Sequence, residues 1–261
     1  EPTTPRKLGK YMCVPFGKIL RGKVVPNTVT KTLHTDKVYE PDLNSFTIEP
    51  FPYYSPLKSQ IETIKSFDRP VILVDDLVHT ANRLQVLVPQ LREDGIPIKK
   101  VVVGVLSGYG RDLMQCLKVP VESIYSMPNL RQWFVESTLY PFIGGDTVRR
   151  EEMKVAGLQP SINMILPYAT PRLSGCSREA LVEFSACCIE NSRDLFQVLE
   201  AEYRKMYAKN LTLSRLSEAV ILPLCPDKGS CMEYDENLAA SVYLENDLET
   251  LWRMKEFLIK G

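Results

Sequence analysis

Two adjacent carboxylates, Asp75 and Asp76, follow a run of four aliphatic residues, Val71-Ile72-Leu73-Val74. Such a run suits a strand buried on both faces of a parallel sheet, and the acids then arrive where that strand ends. In open α/β sheets this carboxyl edge is where ligands bind. A short turn, His79-Thr80-Ala81-Asn82, leads from the acids into a helix that carries Arg83. Free backbone N–H groups at a helix start, the Thr80 hydroxyl and the positive end of the helix dipole together suit a phosphate, to which Arg83 adds a charged donor. Asp75 and Asp76 can accept hydrogen bonds from sugar hydroxyls or reach Mg²⁺ through water. Phosphate on the turn and ribose on the acids describe a phosphorylated sugar as ligand. The bland alternative is a surface turn bearing two solvated aspartates.

A second segment belongs to the same edge. Ser107-Gly108-Tyr109-Gly110-Arg111-Asp112 follows the apolar run Val101 to Leu106. There Tyr109 can stack on a base and Arg111 can meet an anion. As an ordinary strand-to-helix loop the segment needs no such role.

The elements that must position these residues lie between about residues 8 and 147. Strands are expected at Tyr11 to Val14, Val24-Val25, Thr28 to Thr30, Val71 to Val74, Val101 to Leu106 and Val121 to Tyr125. Helices are expected at Pro56 to Ser66, with Leu57, Ile61 and Ile64 on one face, and at Ala81 to Asp94, with Leu84, Leu87, Val88 and Leu91 on one face. Asp94-Gly95 should end the second of these. Strand, helix, strand, segment, strand implies a βαβ crossover, so the expected fold is α/β, with a mostly parallel sheet flanked by helices.

After the Arg149-Arg150-Glu151-Glu152 cluster strand signals become rare. Ser177 can cap a helix running to about Lys209, Thr212 can start a short one, and Glu236 to Ile259 supplies more. The expected organisation is therefore an α/β domain over 1–147 and an α-helical subdomain over 148–261. Pro141 to Thr147, with Gly144-Gly145, reads best as a linker turn between them, with anion binding as the alternative.

The acid pair and its turn resemble the PRPP-binding motif of type I phosphoribosyltransferases, in which four aliphatics precede two acids, two aliphatics and a Thr-Thr-Gly-x-Thr-like loop. The strand, both acids, Leu77-Val78 and Thr80 match. His79 stands where a small hydroxyl residue is usual, Ala81 where Gly is usual, and Arg83 where a Thr or Ser commonly meets phosphate. The specific likeness covers residues 71–84, and the supporting strand order covers about 8–147. It implies a fold of the phosphoribosyltransferase kind and binding of PRPP or a related ribose phosphate or nucleotide. If the domain is active, it implies Mg²⁺-assisted transfer of a phosphoribosyl group to a nucleobase, with Asp75 and Asp76 as catalytic and Mg²⁺-linked residues. His79, Thr80, Ala81, Asn82, Arg83, Tyr109 and Arg111 would then line the ligand. The likeness also implies a loop that closes over the site, for which Arg21 to Tyr39, with Lys23, Lys31, His34 and Lys37, is the available segment; a solvated β-hairpin is its simpler reading. The alternative function is a non-catalytic nucleotide-sensing or interaction domain of a larger protein. A receiver domain also ends a strand in paired acids, but Asp112 does not stand where its third acid belongs.

Composition is compatible with a small anionic ligand. The 261 residues carry 32 Lys and Arg against 32 Asp and Glu, a balance that argues against a polybasic nucleic-acid binder. No apolar run is long enough for a membrane span. Seven cysteines, an odd number without disulfide-like spacing, fit a reducing, cytoplasmic setting. Cys187-Cys188 and the Cys225 to Cys231 segment read as structural, and Arg131-Gln132-Trp133-Phe134 reads as core more readily than as a base platform. The start, Glu1-Pro2-Thr3-Thr4-Pro5, lacks an initiator Met, so an upstream domain is expected; a homo-oligomer is compatible with all of this.

Overall fold

The computed structural model describes residues 9–17, 19, 25, 28–41, 44–51, 54–80, 82–131, 133, 135–149, 158–171, 175–224 and 233–260. The chain is a mixed α/β protein with a mostly parallel five-stranded sheet flanked by helices and a C-terminal helical region. It divides into two compact units, one of Glu1–Lys37 with Ile48–Trp133, the other of Val38–Thr47 with Phe134–Gly261. The sequence suggests a division at residue 147, whereas chain contacts assign 134–147 and the excursion 38–47 to the second unit.

In chain order the elements are β1 (Met12–Pro15), β2 (Val29–Thr30), β3 (Thr35–Tyr39), β4 (Phe46–Pro50), α1 (Leu57–Lys65), β5 (Val71–Val78), α2 (Asn82–Glu93), β6 (Ile98–Ser107), α3 (Gly108–Cys116) and β7 (Val121–Met127). They continue with β8 (Asp146–Val148), β9 (Gln159–Ile162), α4 (Arg178–Tyr207), α5 (Leu213–Leu216), β10 (Ile221–Pro223) and α6 (Ala240–Lys260).

In the first unit the sheet order is β2-β1-β5-β6-β7, and every neighbouring pair is parallel. β5 is central because its apolar run can be buried from both sides. Its Leu73 pairs with Val14 of β1 and Val101 of β6, and its Asp75 pairs with Val103. The core joins Met12, Val14 and Phe16 to Leu73, Val101 and Val103, and adds Ile61 and Ile64 of α1. Leu84, Leu87, Val88 and Leu91 complete it, the i, i+3, i+4, i+7 face expected of α2. Gly95, at φ +76°, closes that helix.

Between β1 and β3 the structure corrects the hairpin reading. Among the described residues of this stretch, β2 runs parallel to β1 and Leu33 makes a further parallel bridge to Phe16, so 29–33 join the sheet. His34 is fixed there: its N–H donates to Gln60 Oε1 at 2.8 Å, and its ring stacks on Tyr54 at 3.8 Å. Arg21, Lys23 and Val24 lie outside the described residues.

The second unit is not purely helical. It holds a sheet of order β10-β9-β8-β3-β4 beside α4 and α6, which pack on each other. Sequence reading misses it because β8, β9 and β10 are three or four residues long, and two of them contain proline, so no alternating pattern develops. Ser177 caps α4 as expected, its Oγ accepting from the Ala180 N–H at 3.1 Å. The Gly144-Gly145 segment is not a linker. It leads into β8 next to the fully buried Phe142, the Gly144 carbonyl accepts from Asn163 Nδ2 at 2.8 Å, and a Cβ on Gly144 would lie 2.4 Å from the Ser137 carbonyl oxygen. Cys188 is buried in α4 while Cys187 is exposed. Cys225 to Cys231 and Arg150 to Glu152 lie outside the described residues.

Candidate functional site

β5 does not stop at the acids: it continues through Val78, so Asp75 and Asp76 sit within it. Successive strand residues face opposite ways, which separates the two. Asp75 is buried, 7% exposed, and Asp76 is exposed. Both carboxylates turn along the chain. Asp75 Oδ1 accepts the Asp76 N–H at 3.0 Å, and Asp76 Oδ1 accepts the Leu77 N–H at 2.8 Å.

Burial dominates the chemistry of Asp75. Desolvation disfavours its ionised form and pushes its pKa from 3.8 up to about 7, against the opposing pull of the Arg83 guanidinium. Arg83 Nη1 lies 3.4 Å from both Asp75 oxygens, and the guanidinium covers the Phe16 ring at 5.4 Å from its centroid. The start of α2, the end of β1 and the middle of β5 thus meet at one point. A carboxyl poised near neutrality beside a half-buried cation can exchange its partner: a ligand hydroxyl can donate to the carboxylate, or a ligand anion can draw Arg83 away.

The other expected residues divide. Thr80 is exposed just before α2, and its carbonyl accepts from Gln85 Nε2 at 3.0 Å. Asn82 and Arg83 open α2 and are half-buried. Ala81 lies outside the described residues. His79 is engaged structurally: its ring Nε2 is 3.1 Å from the Leu130 carbonyl, and its own carbonyl accepts from Ser107 Oγ at 2.9 Å.

Tyr109 and Arg111 are on α3, which begins at Gly108 directly after β6 without the loop the sequence suggests. Ser107 both ends the strand and caps the helix, its Oγ accepting from the Gly110 N–H at 2.8 Å. Gly110 permits the tight passage, since a Cβ there would lie 2.4 Å from the Val78 carbonyl oxygen. Tyr109 is 58% exposed, and Arg111 donates to Ser126 Oγ. Trp133, expected in the core, is 49% exposed; Gln132 and Phe134 lie outside the described residues. Phe16 and Gly104 are the site residues that sequence reading misses, and it places Ser107 at this edge without the helix cap that Ser107 forms. Gly104 is the one with a signal, a lone glycine inside a valine-rich strand, and a Cβ there would meet the Asp76 carbonyl oxygen at 2.7 Å.

As for metal, the described residues contain no group of three or more His, Cys, Asp or Glu side chains placed to hold an ion. Asp76, exposed and singly charged, suits only a hydrated Mg²⁺ carried in with ligand phosphates. Cys13, Cys116, Cys176, Cys187 and Cys188 are free thiols. Among the described residues no helix is long and apolar enough to cross a membrane.

What fold and site define together is an α/β unit in which a buried and an exposed acid lie within a parallel strand that leads into a helix start. Comparison with protein-family models and with curated proteins finds no match. Among solved structures, one described as "Structure of AQ2163 protein from Aquifex aeolicus" is similar at 19% identity over 48% of this chain, with a TM-score of 0.33. The chain spans 57% of that protein's length.

Proposed function

We infer that the first unit binds a ribose phosphate, with PRPP the fullest form of the ligand, at the carboxyl end of β5. The observation that carries this reading is the buried Asp75, its pKa raised to about 7, beside Arg83 where the middle of a parallel strand meets the start of the following helix. In this reading Asp75, on the Arg83 side of the strand, accepts hydrogen bonds from ribose hydroxyls. The 5′-phosphate rests on the Thr80 hydroxyl and the N–H groups that open α2, and the exposed Asp76 would meet a hydrated Mg²⁺ that would neutralise a ligand pyrophosphate. If the domain is catalytic, it transfers the phosphoribosyl group of PRPP to a nitrogen nucleophile, the C1–N bond forming as the C1–O bond breaks and pyrophosphate leaves, and Asp75 stabilises positive charge developing on the ribose.

A second reading, a sensor that binds the nucleotide without turnover, is favoured by one specific contact. Arg83 already faces both oxygens of Asp75, so the acid most suited to the reaction has an internal partner. Calorimetric titration with PRPP and Mg²⁺, repeated on the Asp75→Asn/Asp76→Asn variant, tests the shared claim. Heat of binding in the native chain and its loss in the variant is the expected result; absence of binding, or binding unchanged in the variant, overturns it. Turnover with a panel of nucleobases then separates enzyme from sensor.

A further inference from the structure

β7 is an edge of the first unit's sheet: it pairs with β6 and has no second neighbour among the described residues. Edge strands normally carry protection, such as an inward charge, a lysine, a bulge or a proline within the strand. β7, Val-Glu-Ser-Ile-Tyr-Ser-Met, carries one charge, Glu122 near its start, and no lysine, proline or bulge over seven residues; its prolines, Pro120 and Pro128, flank it. Its side chains are also exposed on both faces, Ile124 at 75%, Tyr125 at 66% and Met127 at 46%.

The backbone specifies what fits this edge. The Val101 N–H bonds the Pro120 carbonyl, so in a parallel ladder Glu122, Ile124 and Ser126 direct their backbone groups towards β6. Val121, Ser123, Tyr125 and Met127 therefore direct theirs outward. Of these, the Met127 carbonyl already accepts the Leu130 N–H. We propose that this edge pairs antiparallel with β7 of a second copy of the chain, about a twofold axis through Ile124, to form a continuous ten-stranded sheet.

That axis uses the whole strand and no other symmetric register does. It sets Ser123 opposite the partner's Tyr125 and Tyr125 opposite the partner's Ser123. Both are outward-facing pairs, and each exchanges two N–H to carbonyl bonds. Ile124 then meets the partner's Ile124 in a non-hydrogen-bonded pair, where Cβ atoms stand about 4.5–5.5 Å apart. On the same face Ser126 comes opposite the partner's Glu122. Since Arg111 donates to Ser126 Oγ, its guanidinium is held where that glutamate arrives, and the twofold axis makes two such ion pairs. An axis through Glu122 would instead set like charges together. Within its own chain Glu122 pairs with Lys100 at 2.5 Å, which leaves one carboxylate between two cations and no acid unpaired.

Sedimentation across the micromolar range, together with cysteine cross-linking of the full chain, tests the assignment. The native chain should dimerise as its concentration rises. Ile124→Lys, a change at a solvent-exposed position, should weaken the dimer about tenfold or more and leave the monomer's circular dichroism and thermal unfolding unchanged. Ser123→Pro should weaken it likewise, because it removes an outward N–H and leaves the bonds to β6 intact. Ile124→Cys should form an interchain disulfide on mild oxidation far faster than Tyr125→Cys or the native cysteines. A chain monomeric at all concentrations, a dimer indifferent to both Ile124→Lys and Ser123→Pro, or equal cross-linking at 124 and 125 overturns the proposal.

Discussion

Replacing Asp75 by Asn should make the protein more stable at alkaline pH and leave it nearly unchanged in acid. Asp75 is raised from 3.8 to about 7 in the folded chain, chiefly by burial. Between those two values the folded state holds a proton that the unfolded state has released. Stability contributed by this group is therefore fully present below about pH 4, is lost as pH rises, and is gone above about pH 7. A shift of about three units at 1.36 kcal/mol each sets the full swing at about 4 kcal/mol. Asn keeps the acceptor for the Asp76 N–H and carries no charge to desolvate. It also forfeits the attraction of Arg83, whose half-exposed side chain can turn to water, so a net gain of about 2 kcal/mol at pH 8 is the expected outcome. Urea unfolding of both chains at pH 4.5, 6 and 8 measures this through the midpoint at constant slope. A variant less stable than the native chain at pH 8, or a difference that does not change with pH, would refute the assignment of burial as the dominant influence on Asp75.

Three further outcomes follow from contacts described above. Arg83→Ala removes the larger of the two influences that favour ionised Asp75, the other being the Asp76 N–H, so its stability should fall more steeply between pH 5 and pH 8 than that of the native chain, by about 1–2 kcal/mol at pH 8; the same urea series reads it. Gly110→Ala places a methyl 2.4 Å from the Val78 carbonyl oxygen and 2.8 Å from its Cγ1, which should cost about 1–3 kcal/mol in thermal unfolding and disturb the β6–α3 junction. Phe142→Ala empties a fully buried site among Phe196, Tyr234 and Tyr243 and should cost the second unit about 3–5 kcal/mol by the same measurement.

Sequence reading succeeds where a pattern is long enough to imply its own environment. The four aliphatics before Asp75 announce a central strand, and the 84, 87, 88, 91 face announces α2. It fails where tertiary contact decides. β3, β4, β8, β9 and β10 are too short or too mixed in polarity to show an alternating pattern, and they become strands only because neighbours pair with them. α3 opens with two glycines and a tyrosine, a poor start by propensity, yet the close approach of Gly108 to the Pro128 carbonyl and of Gly110 to the Val78 carbonyl leaves no room for a Cβ at either glycine. At the site, the types of Asp75, Thr80 and Arg83 are legible and their arrangement is not. Spacing along the chain does not say that Arg83 turns onto Asp75 over Phe16, that His79 is held by Leu130, or that the two acids face opposite sides of one strand.

The central claim is that a ribose phosphate occupies the turn between β5 and α2. Hydrogen exchange of the full chain with and without PRPP and Mg²⁺ tests it at the level of single segments. Slowed exchange concentrated in residues 75–85, absent when inorganic phosphate replaces PRPP at the same concentration and lost in Asp75→Asn/Asp76→Asn, is the predicted result. Exchange there unaltered by PRPP, or protection confined to other segments, would contradict it.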